Sequence, residues 1–351
     1  MNIASVPELR VVAGGAQVLD EGIALANRAH TSLSGEFFKL TDEASRNALS
    51  RAWRERDLWG SAVITAHPQS VEQATPLVTG TRSHVTLYGE LAPSTRPREF
   101  IHTKTLARDK DTGDAEAMVS TGGLDEETGW RWDLAGVFRG EAARAVHELA
   151  DSVASVDYQR QRDALAWART LGIYGTDPVT NDHGLGDAIH EIVRQEPQQL
   201  TVVMKSIYDA KFAAELATRH VRDGLPVDVI VKRIDEPSEK ILREAGVALH
   251  KPADDVPEIH GNLVIGAGLE HAYFGNLWAS PRSFGRDHVP NPFSGGGGTL
   301  PRSQWWDRSR ELGVVTSDTN AIRDLKEAIH LLKPQPHDFS GEVITVTERA
   351  R

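Results

Sequence analysis

The stretch His102-Thr103-Lys104-Thr105-Leu106-Ala107-Arg108-Asp109 decides the reading of this chain. It is an H-x-K-x-x-x-x-D string that follows a run of alternating strand-like and helix-like segments. A shorter echo, His260-Gly261-Asn262, follows the same kind of run in the second half. On an extended strand, residues i and i+2 face the same way. His102 and Lys104 are therefore expected to point together into one cleft. Asp109, at an odd spacing from Lys104, is expected to fix local structure.

Working outward from these strings, the first half offers an apolar run at 37–40 and an amphipathic helix over 44–56, with Leu49 and Trp53 on one side. A strand over 61–66, a helix near 71–77 and a strand over 85–88 lead to His102. The second half repeats the order: strand 201–208, helix 210–222, strand 227–234, helix 238–245, strand 247–250, then His260. This alternation predicts an α/β fold of two similar lobes. Each lobe is expected to be a mixed, mostly parallel sheet flanked by helices. The lobes are expected to be pseudo-two-fold related, with the site at their interface. A helix over 141–165, broken once, closes the first lobe. Turn chemistry at Gly175-Thr-Asp-Pro178 and Asn181-Asp-His-Gly184 places the junction there, giving lobes over 1–178 and 179–351.

The bulk numbers exclude several classes. The chain has 351 residues, 40% of them apolar and 25% charged, as soluble globular proteins do. It has no cysteine, which rules out disulfides and thiolate metal sites. Residues 1–10 lack a basic-then-apolar leader, and no apolar run approaches the roughly 20 residues that span a bilayer. The expected location is the cytoplasm, with no transmembrane segment. A net charge of −11 sets the chain against nucleic acid and anionic membrane surfaces as partners. His190-Glu-Ile-Val-Arg194 lacks the second histidine of H-E-x-x-H, so no metal site is expected. Neither a G-x-S-x-G elbow nor a dinucleotide fingerprint is present. Ser294-Gly-Gly-Gly-Gly-Thr299 is not followed by G-K-[ST]; it reads as a surface loop, or as a lid beside the site. Trp130, Trp132, Trp278, Trp305 and Trp306 flank the strings and read as packing residues, or as a cleft wall.

A neutral imidazole can attack phosphorus, and an ammonium can hold a phosphoryl oxygen as charge builds on it. On these residues the chain resembles the phospholipase D superfamily, whose signature is H-x-K-x-x-x-x-D followed by a G-S-x-N-like turn. The first copy is intact as His102, Lys104 and Asp109, and its turn reads Thr121-Gly122-Gly123-Leu124-Asp125. The second copy keeps His260 but has Asn262 in the lysine position and Ala267 in the aspartate position. Its turn reads Phe274-Gly275-Asn276-Leu277-Trp278. The resemblance covers most of the chain.

The resemblance implies a metal-independent phosphodiester hydrolase or phosphatidyltransferase that needs no cofactor. His102 would form a phosphohistidine and His260 would act as acid and base. Each histidine would carry a carboxylate on its far nitrogen: Asp133 behind His102 and Asp287 behind His260. Gly122, Gly123, Asn276 and Arg282 would line the substrate. A phospholipid or a small phosphodiester is the expected partner, with nucleic acid less favoured. The rivals are a nuclease of the same superfamily and a non-catalytic phosphate-binding protein. Asn262 carries no charge, and charged hydrogen bonds contribute roughly twice what neutral ones do. Its presence implies slower turnover, a substrate with its own positive charge, or a substitute arginine such as Arg282 or Arg286.

Overall fold

The structure is a computed structural model that describes residues 3–65, 72, 76–77, 79–88, 99–176, 184–256, 258–268, 270–277, 279 and 308–336. The first half builds β1 (Arg10–Ala13), α1 (Gly15–Arg28), β2 (Leu33–Phe37), α2 (Glu43–Ser50), β3 (Ser61–Thr65), β4 (His84–Tyr88), β5 (Glu99–Ile101), β6 (Thr105–Arg108), β7 (Glu116–Ser120) and β8 (Leu134–Arg139). Helices α3 (Glu141–Ala154) and α4 (Tyr158–Thr170) follow. The second half builds β9 (Ile173–Gly175), α5 (Gly184–Gln195), β10 (Leu200–Ile207), α6 (Ala210–Asp223), β11 (Val227–Ile234), α7 (Glu236–Glu244), β12 (Ala248–Lys251), β13 (Asn262–Gly266) and β14 (His271–Gly275). It ends with β15 (Arg308–Arg310), β16 (Leu312–Thr316), α8 (Thr319–His330) and β17 (Gln335–Pro336).

The helix starts are written into the sequence. Asp42, Asp157, Asp209, Asp235 and Asp318 each accept from backbone N–H groups of the first turn, donors that a helix leaves unpaired. Gly224, at φ 65, ends α6 in the left-handed conformation that glycine tolerates best. The expected break in 141–165 falls between α3 and α4, where Val156 has φ 58 and Asp157 caps the restart.

Two mixed sheets result. One has the order β1-β8-β7-β6-β2-β3-β4, and the other β9-β16-β14-β13-β10-β11-β12-β17. Apart from β17, the second order repeats the first strand for strand, as a duplicated α/β lobe does. Within these two sheets, among the described residues, the parallel strand pairs are β2-β3-β4 and β10-β11-β12, so the sheets are less parallel than expected. The strands after each histidine run antiparallel, because turns such as 109–115 and 267–270 are too short for a parallel crossover.

The two sheets share a core. One apolar cluster joins Val63, Ala107, Val119 and Leu134 of the first sheet to Val203, Leu263, Ile265, Phe274 and Val314 of the second. At Gly136 a Cβ would come within 2.5 Å of the Phe274 ring, so glycine there permits the close approach. Two further clusters lie on the outer faces of the sheets. β9 hydrogen-bonds to β16, so residues 173–175 belong to the second sheet although they precede the expected junction. Asp287, Arg282, Arg286, Trp278, Trp305, Trp306 and the 294–299 glycine run lie outside the described residues.

Candidate functional site

Two short parallel pairings between the halves build the site. β5 lies beside β15 with Ile101 opposite Arg310, so the next residues, His102 and Glu311, emerge side by side. His102 Nδ1 lies 2.8 Å from Glu311 Oε2. In the second pairing Trp132 bridges Ile259. Trp132 N–H donates to the Glu258 carbonyl at 2.9 Å, and His260 N–H donates to the Trp132 carbonyl at 3.0 Å. The next residue after Trp132 is Asp133, whose Oδ1 lies 3.1 Å from His260 Nδ1.

Each histidine thus takes its carboxylate from the opposite half. This corrects the expected pairing: Asp133 holds His260, not His102. Glu311, which holds His102, was not foreseen. One signal could have found it: Trp132-Asp133-Leu134-Ala135 and Arg310-Glu311-Leu312-Gly313 each place a carboxylate and a leucine at the head of equivalent strands, β8 and β16.

The surroundings fix these groups. Thr121 Oγ1 donates to Asp133 Oδ1 at 2.8 Å. Burial pushes the Asp133 carboxyl up, but His260, Thr121 and Lys104 together hold it below the usual carboxylate range. A Cβ on Gly122 would come within 2.8 Å of the Asp133 carboxylate, and one on Gly123 within 2.3 Å of Asp125 Oδ2. These glycines therefore make room for acidic side chains, whatever they also do for substrate. Burial lowers the pKa of His102; Glu311 opposes this, while Lys104 and His260 reinforce it.

Lys104 is buried and donates to the His102 carbonyl at 2.8 Å and to Asn276 Oδ1 at 3.2 Å. Burial pushes its ammonium down to about 8, against the pull of Glu311, Asp133 and Asp125. The Phe38 ring meets the His102 ring edge-on at 5.7 Å and lies 5.9 Å from Lys104 Nζ. Asn276 is buried, and its Nδ2 has no hydrogen-bond partner among the described residues.

Two motif residues lie differently from the rest. Asp109 sits at the far end of β6, away from the histidines. With φ 56 and no exposure, it accepts from the backbone N–H groups of His30, Thr31 and Ser32 at 2.8, 2.7 and 3.3 Å. Arg108 also pairs with it. It ties the entry of β2 to the exit of β6 and does not join the site. Asn262 is turned into the backbone: its Oδ1 accepts from Lys205 N–H at 3.1 Å and its Nδ2 lies 3.4 Å from the Gly275 carbonyl.

A second polar arrangement was not legible in sequence. His147 Nε2 lies 3.0 Å from Ser32 Oγ, and its Nδ1 lies 3.2 Å from Asp151 Oδ2. The order resembles a nucleophilic triad, but His147 is fully enclosed and Ser32 is 3% exposed. Asp151 also accepts from Ser34, Ser61 and Lys110. The network fastens α3 to β2 and β3.

No family model matches the chain, and no curated protein sequence matches it. Solved structures do. Polyphosphate kinase from Porphyromonas gingivalis superposes with a TM-score of 0.62 at 12% identity, over 97% of this chain and 54% of that one. The chain thus spans about half the length of that kinase. Phosphatidylserine synthase from Haemophilus influenzae Rd KW20 gives 0.62 at 11% identity, over 94% of this chain and 87% of that one. Yeast tyrosyl-DNA phosphodiesterase gives 0.52 at 10% identity, over 88% and 89%. Among the described residues, no helix is long and apolar enough to cross a membrane.

Proposed function

From the phospholipase D fold that the chain shares with these structures, we propose that it is a phosphoryl-transfer enzyme using His102 and His260 without a metal. The observation that carries this reading is the pair of crossed contacts, His102 to Glu311 and His260 to Asp133. A carboxylate on Nδ1 sets the tautomer and leaves Nε2 for the reaction. His102, whose pKa is lowered, is the neutral imidazole suited to attack. Its Nε2 bonds to phosphorus while the bond from phosphorus to the leaving oxygen breaks. His260, beside the Asp133 carboxylate, gives that oxygen a proton. Water or an alcohol then attacks phosphorus, His260 takes the proton, and the phosphorus–nitrogen bond breaks. Lys104 meets the charge that builds on the phosphoryl oxygens.

The substrate class we favour is a phospholipid or a small phosphodiester. One neighbour's name concerns phosphatidylserine and another's a tyrosyl-DNA diester; the net charge of −11 weighs against a nucleic acid. The rival is a non-catalytic phosphate binder, favoured by Asn262 being turned into the backbone. Intact-protein mass after an acid-free quench with bis(p-nitrophenyl) phosphate, with nitrophenol release followed in EDTA, decides between them. Release lost in His102→Ala and His260→Ala, with a phosphoryl adduct trapped in His260→Ala, supports the reading. An adduct that survives only in His102→Ala reverses the two roles. No turnover by the wild-type protein across this ester, lipids and oligonucleotides favours the binder.

A further inference from the structure

We propose that Lys205 supplies the second cation of the phosphoryl site, from the strand beside the one where Asn262 stands; this rests on the reading above. The duplication locates it. In the first sheet Glu36 pairs with Thr105, the residue after Lys104. In the second sheet Val203 pairs with Leu263, the residue after Asn262. Two residues on from Glu36 and Val203 come Phe38 and Lys205, which therefore hold equivalent places in the two lobes. Phe38 lies against both His102 and Lys104. Its counterpart is thus the position that faces His260 and Asn262, and it holds a lysine.

Local contacts agree with this placement. Lys205 N–H donates to the Asn262 side chain at 3.1 Å. Its Nζ lies 3.3 Å from Glu258 Oε1, two residues before His260. Val203, two residues earlier on β10, faces the shared core with Ile101, Trp132 and Ile259, the immediate neighbours of His102, Asp133 and His260. The Lys205 charge is the smallest of the influences that bear on the Lys104 ammonium, and it acts to lower its pKa. Burial lowers the pKa of Lys205, with Glu258 opposing. Both ends of the Asn262 amide are spent on backbone groups, so Asn262 serves as the strut that positions this strand. A phosphodiester anion would then lie between Lys104 and Lys205, with Glu258 steadying the second ammonium until the anion arrives.

The test uses sodium tungstate as a tetrahedral oxyanion in calorimetric titration of the full chain, alongside turnover of bis(p-nitrophenyl) phosphate. Losing one charged contact predicts a tungstate Kd weaker by about tenfold or more in Lys205→Ala. Lys205→Arg keeps the charge and should stay within about threefold of wild type. Glu258→Gln removes the ion pair but not the ammonium, and should leave tungstate binding unchanged or tighter. A Kd in Lys205→Ala within about twofold of wild type overturns the assignment, as do equal losses in Lys205→Ala and Glu258→Gln or no binding by the wild-type protein. Unchanged melting temperatures exclude misfolding as the cause of a loss. Turnover that needs His102 but tungstate binding indifferent to Lys205 sinks this assignment alone. Lys205-dependent binding with no turnover sinks the phosphoryl-transfer reading alone.

Discussion

At the residue scale two carboxylates each contact the histidine of the other half. If Asp133 and Glu311 hold tautomer and orientation, Asp133→Asn and Glu311→Gln should each lower kcat by about 10²- to 10⁴-fold with little change in KM, read on the diester assay. The pH profile of kcat/KM reports the free enzyme. It should rise as His102 loses its proton, with a midpoint below the ordinary imidazole value of 6.5, because burial lowers the pKa. It should fall as the Lys104 ammonium is lost near pH 8. In Lys104→Arg the alkaline limb should move upward, since a guanidinium keeps its proton there. An alkaline limb unmoved in that variant would assign it to another group. His102 and Lys104 were legible in sequence because they belong to one short string, which the structure places between β5 and β6. Glu311 was not, because nothing local links it to His102.

At the element scale the fold is set by short pairings that aim side chains. β5 and β15 contribute three residues each, yet their register delivers His102 beside Glu311. Asp109 acts at the same scale, clamping the 30–32 turn to the end of β6. Removing a charged, fully buried acceptor from three backbone N–H groups, of which only that of Ser32 is buried, predicts a loss of about 2 kcal/mol for Asp109→Ala, with a smaller loss for Asp109→Asn, in urea unfolding at pH 7. Its carboxyl pKa is held below 3.8 by those N–H groups and Arg108 against the cost of burial. Its contribution is therefore present above that value and lost as pH falls through the lower, folded value. Asp109→Asn should accordingly flatten the acid limb of the stability curve. The helix and strand segments were readable because short apolar runs, buried along their whole length in strands such as β7, β13 and β16, are local. The antiparallel direction after each histidine was not, since it follows from which strands become neighbours.

At the scale of the whole molecule, the lobes share one apolar cluster, and Trp132 crosses it to donate to the Ala328 carbonyl at 3.1 Å. A core held in common predicts a single cooperative transition. Tryptophan fluorescence and far-ultraviolet circular dichroism should give coincident urea curves, and two separated transitions would show lobes that fold independently.

The sequence by itself determined the α/β alternation, the duplicated order of elements, the intact first string and the charge lost at Asn262. These are patterns of apolar runs, turn residues and spacing, and such information is carried within a few residues. Only the tertiary structure decided that the carboxylates are exchanged between halves and that the Asn262 amide is spent on backbone groups. Those outcomes depend on the two halves packing around one shared core, which brings 101 beside 310 and 132 beside 259, pairs that no local pattern connects.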